Sequence, residues 1–276
     1  MHLGISSLGH IIELGINREF KNSIDLLLKA SELCLDYAEK NDIKFVELVL
    51  DPPNIFEEEH KQKFIELVNS YSLNKQIHGP FIDVNLCSHN NKISNASIET
   101  YIEAAKMSVE INAKLMTIHP GLANFMIQSI RSINKLQLKK AIKKLLTFTQ
   151  NLDLTICMEN MPKNAYIMTD HDNIKEIFTI INQKDLYFTY DTSHFYTTNG
   201  DIQQLWENFN KKIRNIHLVD NFSKITDTHP CLGKGKIKFK EIFDLIIQYN
   251  YNGPLIIELA SAKDLPQSIK FIKNLL

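Results

Sequence analysis

Eight short apolar runs recur along the sequence, and each is followed by a longer segment with helical spacing. Most of the runs are apolar throughout rather than alternating, which is typical of parallel strands that are covered on both faces. The alternation therefore predicts eight strand–helix units. The predicted strands are residues 3–6, 45–50, 75–78, 115–119, 154–159, 187–190, 213–219 and 254–259.

The segments between these runs repeat apolar residues every three or four positions, which is the spacing of a helix with one buried face. Three such faces are formed by Ile24, Leu27, Leu28 and Leu35, by Ile98, Ile102, Ala105 and Val109, and by Phe239, Ile242, Phe243 and Ile246. Helices that alternate with parallel strands form either a closed barrel or a doubly wound open sheet.

The chain lacks the nucleotide-binding motifs of many open sheets, because no G-x-G-x-x-G follows the first strand and no Walker-type loop occurs. Its 276 residues are close to the roughly 250 typical of a one-domain α/β barrel. No linker or composition break divides the sequence. We therefore predict an α/β fold, a single (β/α)8 TIM barrel, as one domain spanning residues 1–276.

Charge and composition exclude several classes of protein. The formal net charge of -1 creates no global field toward nucleic acid or an anionic membrane. The four cysteines form no C-x-x-C pair, so neither a disulfide framework nor a zinc ribbon is indicated. The N-terminus does not resemble a secretory signal, and no run of about 18 apolar residues occurs. We expect a soluble, cytoplasmic protein without a membrane partner; its oligomeric state stays open.

Strand after strand ends in a residue that can bind a metal ion. From the third strand to the eighth, these residues are His78, His119, Glu159, Asp191 with His194, His217 with Asp227 and His229 in the loop beyond, and Glu258. The carboxyl ends of barrel strands converge on one face, where catalytic sites are built. Carboxylates and imidazoles gathered there repel each other or must be desolvated unless cations neutralise them. Metal binding is therefore predicted.

The ligand types narrow the choice of metal. Mixed His and carboxylate ligands suit zinc, manganese, iron or cobalt better than calcium, and the absence of cysteine argues against a purely structural zinc. The expected cofactor is a divalent cation, with Zn2+ first and Mn2+ or another divalent ion as the alternative. The remaining histidines are interpreted as hydrogen-bonded or solvent-facing residues. They are His2, His10, His60, His89 and His171.

At these positions the sequence resembles the endonuclease IV family (AP endonuclease family 2) within the xylose isomerase-like barrel superfamily. The similarity extends over essentially the whole chain. Its most specific elements are His-Pro-Gly at His119, Glu-Asn at Glu159, Asp-Thr-Ser-His from Asp191 to His194, His-Leu-x-Asp at His217, and Asp-x-His at Asp227 followed by Leu-Gly-x-Gly. Together these elements are much more specific than any one of them.

The resemblance implies a site for up to three ions. The first would take His78, His119 and Glu159; the second Glu159, Asp191, His217 and Glu258; and the third His194, Asp227 and His229. A hydroxide formed between two ions about 4 Å apart would attack phosphorus in line. Glu159 and Glu258 are the predicted catalytic residues, the first holding the bridged pair and the second orienting the nucleophile. The implied reaction is phosphodiester cleavage, in the family at abasic sites in DNA, which is a DNA-repair activity.

Some features depart from a DNA-binding pattern. Residues 51–59, after the second strand, are acidic and would repel phosphates. The chain has only three arginines, so bidentate phosphate clamps are scarce. Lysines could line an anion path after the Asp-x-His loop, or could simply be solvated at a helix start. These lysines are Lys234, Lys236, Lys238 and Lys240.

Two other functions stay open. The sugar isomerases and epimerases of the same superfamily use a four-ligand core that corresponds to Glu159, Asp191, His217 and Glu258. In these enzymes one ion polarises a ketose while two glutamates move a proton between adjacent carbons, so the substrate would be a small sugar or sugar phosphate. The third hypothesis is a barrel that binds a metal or sugar without catalysing a reaction. The complete ligand set argues against it.

Overall fold

In the computed structural model, which describes residues 2–17, 20 and 22–275, the strands form one closed barrel. The strands are β1 His2–Ser6, β2 Phe45–Val49, β3 Asn74–His78, β4 Leu115–Ile118, β5 Thr155–Glu159, β6 Leu186–Asp191, β7 Ile213–Leu218 and β8 Pro254–Ile257. Neighbours pair in parallel in chain order, and β8 closes the barrel against β1. The predicted TIM barrel is confirmed. Each predicted strand ends within two residues of an observed one.

Helices alternate with the strands around the barrel. They are α1 Leu8–Asn17, α2 Ser23–Lys40, α3 Glu58–Asn69, α4 Asn91–Glu110, α5 Ile130–Thr149, α6 His171–Ile181, α7 Thr192–Tyr196, α8 Ile202–Phe209, α9 Phe239–Gln248 and α10 Leu265–Lys273. Short polar side chains start several of them: Asn22 caps α2 by accepting a hydrogen bond from the Asp25 amide at 2.8 Å. No helix in the described ranges has the length and apolarity needed to cross a membrane.

The predicted helix faces are buried or, at Leu28 and Ile102, partly buried, with one exception. The four apolar residues assigned to α9 are all buried, and so are Ile24, Leu27 and Leu35 of α2. Val109 of α4 is 40% exposed, so its assignment to the buried face was wrong. The buried side of α4 is formed largely by small residues such as Ala104 and Ser108, which allow the helix to approach the sheet closely and leave Val109 at the edge.

A hydrogen-bonded polar layer crosses the interior of the barrel. Glu47 of β2 accepts hydrogen bonds from Gln76 of β3 at 2.6 Å and Asn215 of β7 at 3.0 Å. Asn215 also donates to Thr117 of β4, whose hydroxyl lies 3.0 Å from that of Thr189 in β6. Buried polar side chains are tolerated when they satisfy each other in this way. The layer therefore provides a fixed polar support for side chains at the carboxyl ends of the strands.

Candidate metal centre

The nine predicted ligands lie at the carboxyl ends of β3 to β8 or in the loops that follow. They are His78, Glu159 and Asp191 at the ends of β3, β5 and β6; His217 within β7; His119 and Glu258 directly after β4 and β8; His194 in α7; and Asp227 and His229 in the loop between β7 and α9. The fold brings all nine together. Each has a ligand atom within 3.9 Å of another member.

Glu159 lies at the centre of four imidazoles. Its Oε2 is 3.0 Å from Nε2 of His119 and 3.4 Å from Nε2 of His78. Its Oε1 is 3.1 Å from Nδ1 of His217 and 3.5 Å from Nδ1 of His194. Because each oxygen faces a different pair of rings, the carboxylate can share its oxygens between two cations.

A second set of ligands, here called the Asp227 group, consists of His194, Asp227 and His229. Oδ2 of Asp227 lies 3.0 Å from Nε2 of His194 and 2.9 Å from Nε2 of His229. Glu258 joins this group to the barrel, since its Oε1 is 3.4 Å from Nδ1 of His229 and its Oε2 is 3.6 Å from Nδ1 of His217. The Asp227 group and the ligands around Glu159 therefore form one continuous site.

Four sets of three side chains place their ligand atoms within 4.8 Å of one another. They are His78, Glu159 and His217; Glu159, Asp191 and His194; Glu47, His217 and Glu258; and the Asp227 group. The Asp227 group has the composition that the resemblance implies for the third ion. The two sets that contain Glu159 combine residues implied for different ions, and the remaining set joins two ligands implied for the second ion, His217 and Glu258, to Glu47.

The unpaired polar atoms of the site fit a divalent cation. Oδ2 of Asp191 and Oε2 of Glu258 are buried and accept no hydrogen bond from any described residue. A buried carboxylate oxygen without a partner is unfavourable unless something else neutralises it. Imidazole nitrogens and carboxylate oxygens are the ligands that zinc, manganese and iron prefer. The types of ligand atom and the two unpaired carboxylate oxygens therefore both indicate a site for a divalent cation.

Burial and neighbouring charges shift the acids and bases of the site in opposite directions. Burial alone would raise the pKa of Glu159, but the charges of His217 and His119 outweigh it and hold that pKa well below its usual value. Burial raises the pKa of Asp191 to about 7. Burial lowers the pKa of His78, yet its hydrogen bond to Glu159 and the Glu159 charge raise it to about 9. A metal must displace protons from such groups in order to bind.

Two of the sequence motifs are explained by the turn that follows β6. The Asp191 side chain caps α7 by accepting a hydrogen bond from the His194 amide at 2.6 Å. Asn160, next to Glu159, donates to the Asp191 carbonyl at 3.0 Å and accepts from the Asp191 amide at 2.8 Å. The carbonyl of Asn160 lies 2.8 Å from Nδ1 of His194. The Glu-Asn and Asp-Thr-Ser-His motifs therefore position three ligands relative to one another.

A buried aspartate shapes the loop that carries Asp227 and His229. Asp220 accepts hydrogen bonds from the amides of Gly233 at 2.9 Å and Gly235 at 2.8 Å. A Cβ atom at Gly235 would lie 2.1 Å from Oδ1 of Asp220, so only glycine fits. The aspartate of the His-Leu-x-Asp motif thus acts on the loop through the Leu-Gly-x-Gly motif, and both hold the Asp227 group in place.

Sequence reasoning missed Glu47, which is fully buried in β2. Its Oε1 lies 3.0 Å from Nε2 of His217, so Nε2 faces Glu47 while Nδ1 faces the carboxylates of the site. A carboxylate behind a histidine ligand fixes the ring and its tautomer. The signal was a single acidic residue inside the otherwise apolar run at 45–50.

The ligands open into a cavity of about 800 Å³, a volume within the range of small-molecule sites. Asp191 and His217 lie beneath it with 0% exposure, and the other predicted ligands line it. No residue of the acidic segment 51–59 and none of the lysines between 234 and 240 belongs to its lining. Asp51 instead accepts hydrogen bonds from the Phe81 and Ile82 amides and holds the loop after β3.

The barrel and these ligand groups define a (β/α)8 protein with a candidate divalent-metal centre at the carboxyl ends of its strands. Residues 35–275 match the xylose isomerase-like TIM barrel family, and the chain belongs to that family. The resemblance found in the sequence is thereby confirmed at the level of the family.

Two relatives in sequence and one solved structure are similar to the chain. An uncharacterized protein of Methanocaldococcus jannaschii is 31% identical, over 85% of this chain and 89% of its own. A probable endonuclease 4 of Mycoplasma pneumoniae is 27% identical, over 71% of this chain and 73% of its own. In structure, a D-tagatose 3-epimerase-like protein matches with a TM-score of 0.81 and 21% identity over 100% of this chain and 97% of its own. At that identity the likeness concerns the fold alone.

Proposed function

We propose that the protein is a divalent-metal phosphodiester hydrolase with a multinuclear site. The observation that carries the proposal is the Asp227 group, which adds a ligand set beyond the four-residue core of the sugar isomerases and is continuous with that core through Glu159 and Glu258. Isomerisation needs one ion, whereas in-line displacement at phosphorus benefits from several. The relative named probable endonuclease 4 agrees with this choice.

Bound divalent ions would neutralise the phosphate charge and lower the pKa of water. Glu159 would hold the ions in register through its two oxygens. Glu258, whose Oε2 has no hydrogen-bond partner among the described residues, would accept a hydrogen bond from the attacking water and orient it. The water oxygen bonds to phosphorus, and the P–O bond to the alcohol breaks with its electron pair on the leaving oxygen. One proton from the water ends on that oxygen, giving an alcohol and a phosphate monoester.

A sugar isomerase or epimerase is the second candidate. The cavity lined by Glu159 and Glu258 favours it, since its volume is that of a small-molecule site and could hold a small sugar. In that case the two glutamates would exchange a proton with adjacent carbons. Abasic-site DNA and a small sugar or sugar phosphate are thus the two substrate types to compare.

Metal content and a paired assay separate the two functions. We expect about three zinc or manganese ions per chain by elemental analysis, and one ion would favour the isomerase. Wild type and Glu258→Gln are offered bis(p-nitrophenyl) phosphate, abasic duplex DNA and a panel of ketoses. Hydrolysis of a phosphodiester that Glu258→Gln loses supports the proposal. Turnover of a ketose without any phosphodiester hydrolysis contradicts it.

A further inference from the structure

The side of the cavity nearest β1 to β4 is an apolar wall. Its residues come from α1, β2 and the loops after β3 and β4, and they are Leu8, Ile11, Ile12, Val49, Phe81, Ile82, Val84 and Leu122. Two of them are open to solvent: Ile82 is 56% and Leu122 58% exposed. Apolar side chains that line an open cavity beside a polar centre are typical of a site for a partly apolar ligand.

The opposite side continues into a second cleft of about 630 Å³. Pro162 and Asp227 line both spaces, so the cleft and the cavity meet at the Asp227 group. Lys163 and Lys224 line the cleft, whereas the described residues that line the cavity include neither lysine nor arginine. A ligand centred on the metal ligands would therefore have apolar side chains on one side and a cleft lined by two lysines on the other.

We infer that the substrate is a compact phosphate diester with one apolar substituent, which packs against the apolar wall, and a second, polar substituent directed toward the cleft with Lys163 and Lys224. This inference rests on the proposed phosphodiesterase function and names the substrate class for it. Burial of an apolar substituent is favourable in proportion to the area removed from water.

Extended duplex DNA fits this arrangement less well. Duplex binding depends on neutralising many phosphates with lysine and arginine, and each such contact adds to the salt dependence of the affinity. The described part of the cavity wall offers instead Ile82, Leu122 and the carboxylate of Asp83. A rim of this composition repels a row of phosphates and favours a single organic substituent.

Two phosphonates test the recognition without requiring turnover. Phenylphosphonate and methylphosphonate carry the same anionic group, and calorimetry with the zinc- or manganese-loaded protein measures their affinities. We expect the phenyl compound to bind about tenfold more tightly because its ring contacts the wall. Ile12→Asn should abolish this preference. Ile16→Asn, the same change four residues along α1 at a position that is 74% exposed, should retain it.

Kinetics then connect recognition with turnover. We expect kcat/KM for bis(p-nitrophenyl) phosphate to exceed that for abasic duplex DNA, and Ile12→Asn to raise KM for the diester with little change in kcat. Equal affinities for the two phosphonates, or preferential cleavage of the duplex, would overturn the inference. Tighter binding of phenylphosphonate without hydrolysis of either substrate would contradict the hydrolase function and support the apolar recognition. Failure of the proposed function can therefore be distinguished from failure of this inference.

Discussion

The two halves of the barrel face differ in what their loops contribute. The half formed by β1 to β4 supplies two of the predicted ligands, His78 and His119, and most of the apolar wall. The half formed by β5 to β8 supplies the other ligands. It also supplies the supporting hydrogen bonds that Asn160 donates to the Asp191 carbonyl and that Asp220 accepts from the Gly233 amide. The difference indicates a division between the halves: most of the candidate metal ligands lie on the β5 to β8 side, and the apolar contacts of the proposed substrate lie on the β1 to β4 side.

The strongest test of this division is the loss of the central carboxylate. Glu159→Gln should weaken metal binding by more than about a hundredfold and abolish turnover, because Glu159 contacts four of the histidines. Elemental analysis and metal-competition titration measure the loss. Ile12→Asn on the wall should keep the full metal content. If the wall variant loses its metal as well, the division between the halves is wrong.

The affinity for metal should depend on pH through two ligands, Asp191 on the β5 to β8 side and His78 on the β1 to β4 side. Asp191, with a pKa of about 7, and His78, with a pKa of about 9, hold protons at pH 6 in the metal-free protein, and only their deprotonated forms bind a cation. The affinity should therefore rise with pH, by roughly tenfold per unit for each proton displaced. Calorimetry in two buffers of different ionisation enthalpy counts these protons. A binding heat that is the same in both buffers would contradict the expectation.

Glu47 extends the comparison to the interior of the barrel, because it acts on a ligand of the opposite half. Glu47→Gln should lower metal affinity by about tenfold, since His217 loses the carboxylate behind Nε2. Competition with a chelating dye measures the change. Glu66→Gln, the same substitution at an exposed position of α3, serves as the control. Equal metal affinities in the two variants would show that Glu47 does not support the metal centre.

The smallest effect is expected for the loop that carries the Asp227 group. Gly235→Ala should lower the free energy of unfolding by about 1 kcal/mol and weaken a single ion, because the new Cβ collides with Asp220. Thermal melts and metal stoichiometry measure both effects. Gly15→Ala is the matched control, since the nearest atom to its Cβ would be 3.6 Å away. A loss of all the ions in Gly235→Ala would show that the Asp227 group is not separable from the rest.

Local patterns in the sequence predicted the strands closely, because strands buried on both faces are continuous apolar runs. The same patterns failed for Val109, whose exposure depends on how α4 is rotated against the sheet. They also did not indicate the role of Glu47, since an acidic residue inside a strand has no partner nearby in the sequence from which its role could be inferred. Its partners Gln76, Asn215 and His217 come from strands distant in the chain.

The sequence by itself determined the barrel and the residue types at the ends of its strands, because parallel strands in a closed barrel must bring their carboxyl ends to one face. Only the tertiary structure decided which nitrogen of His217 faces the site, how Glu159 divides its oxygens among four rings, and that an apolar wall lies opposite a cleft with lysines. These features depend on side-chain orientation and loop packing. Both are set by contacts between residues far apart in the chain, which no local pattern records.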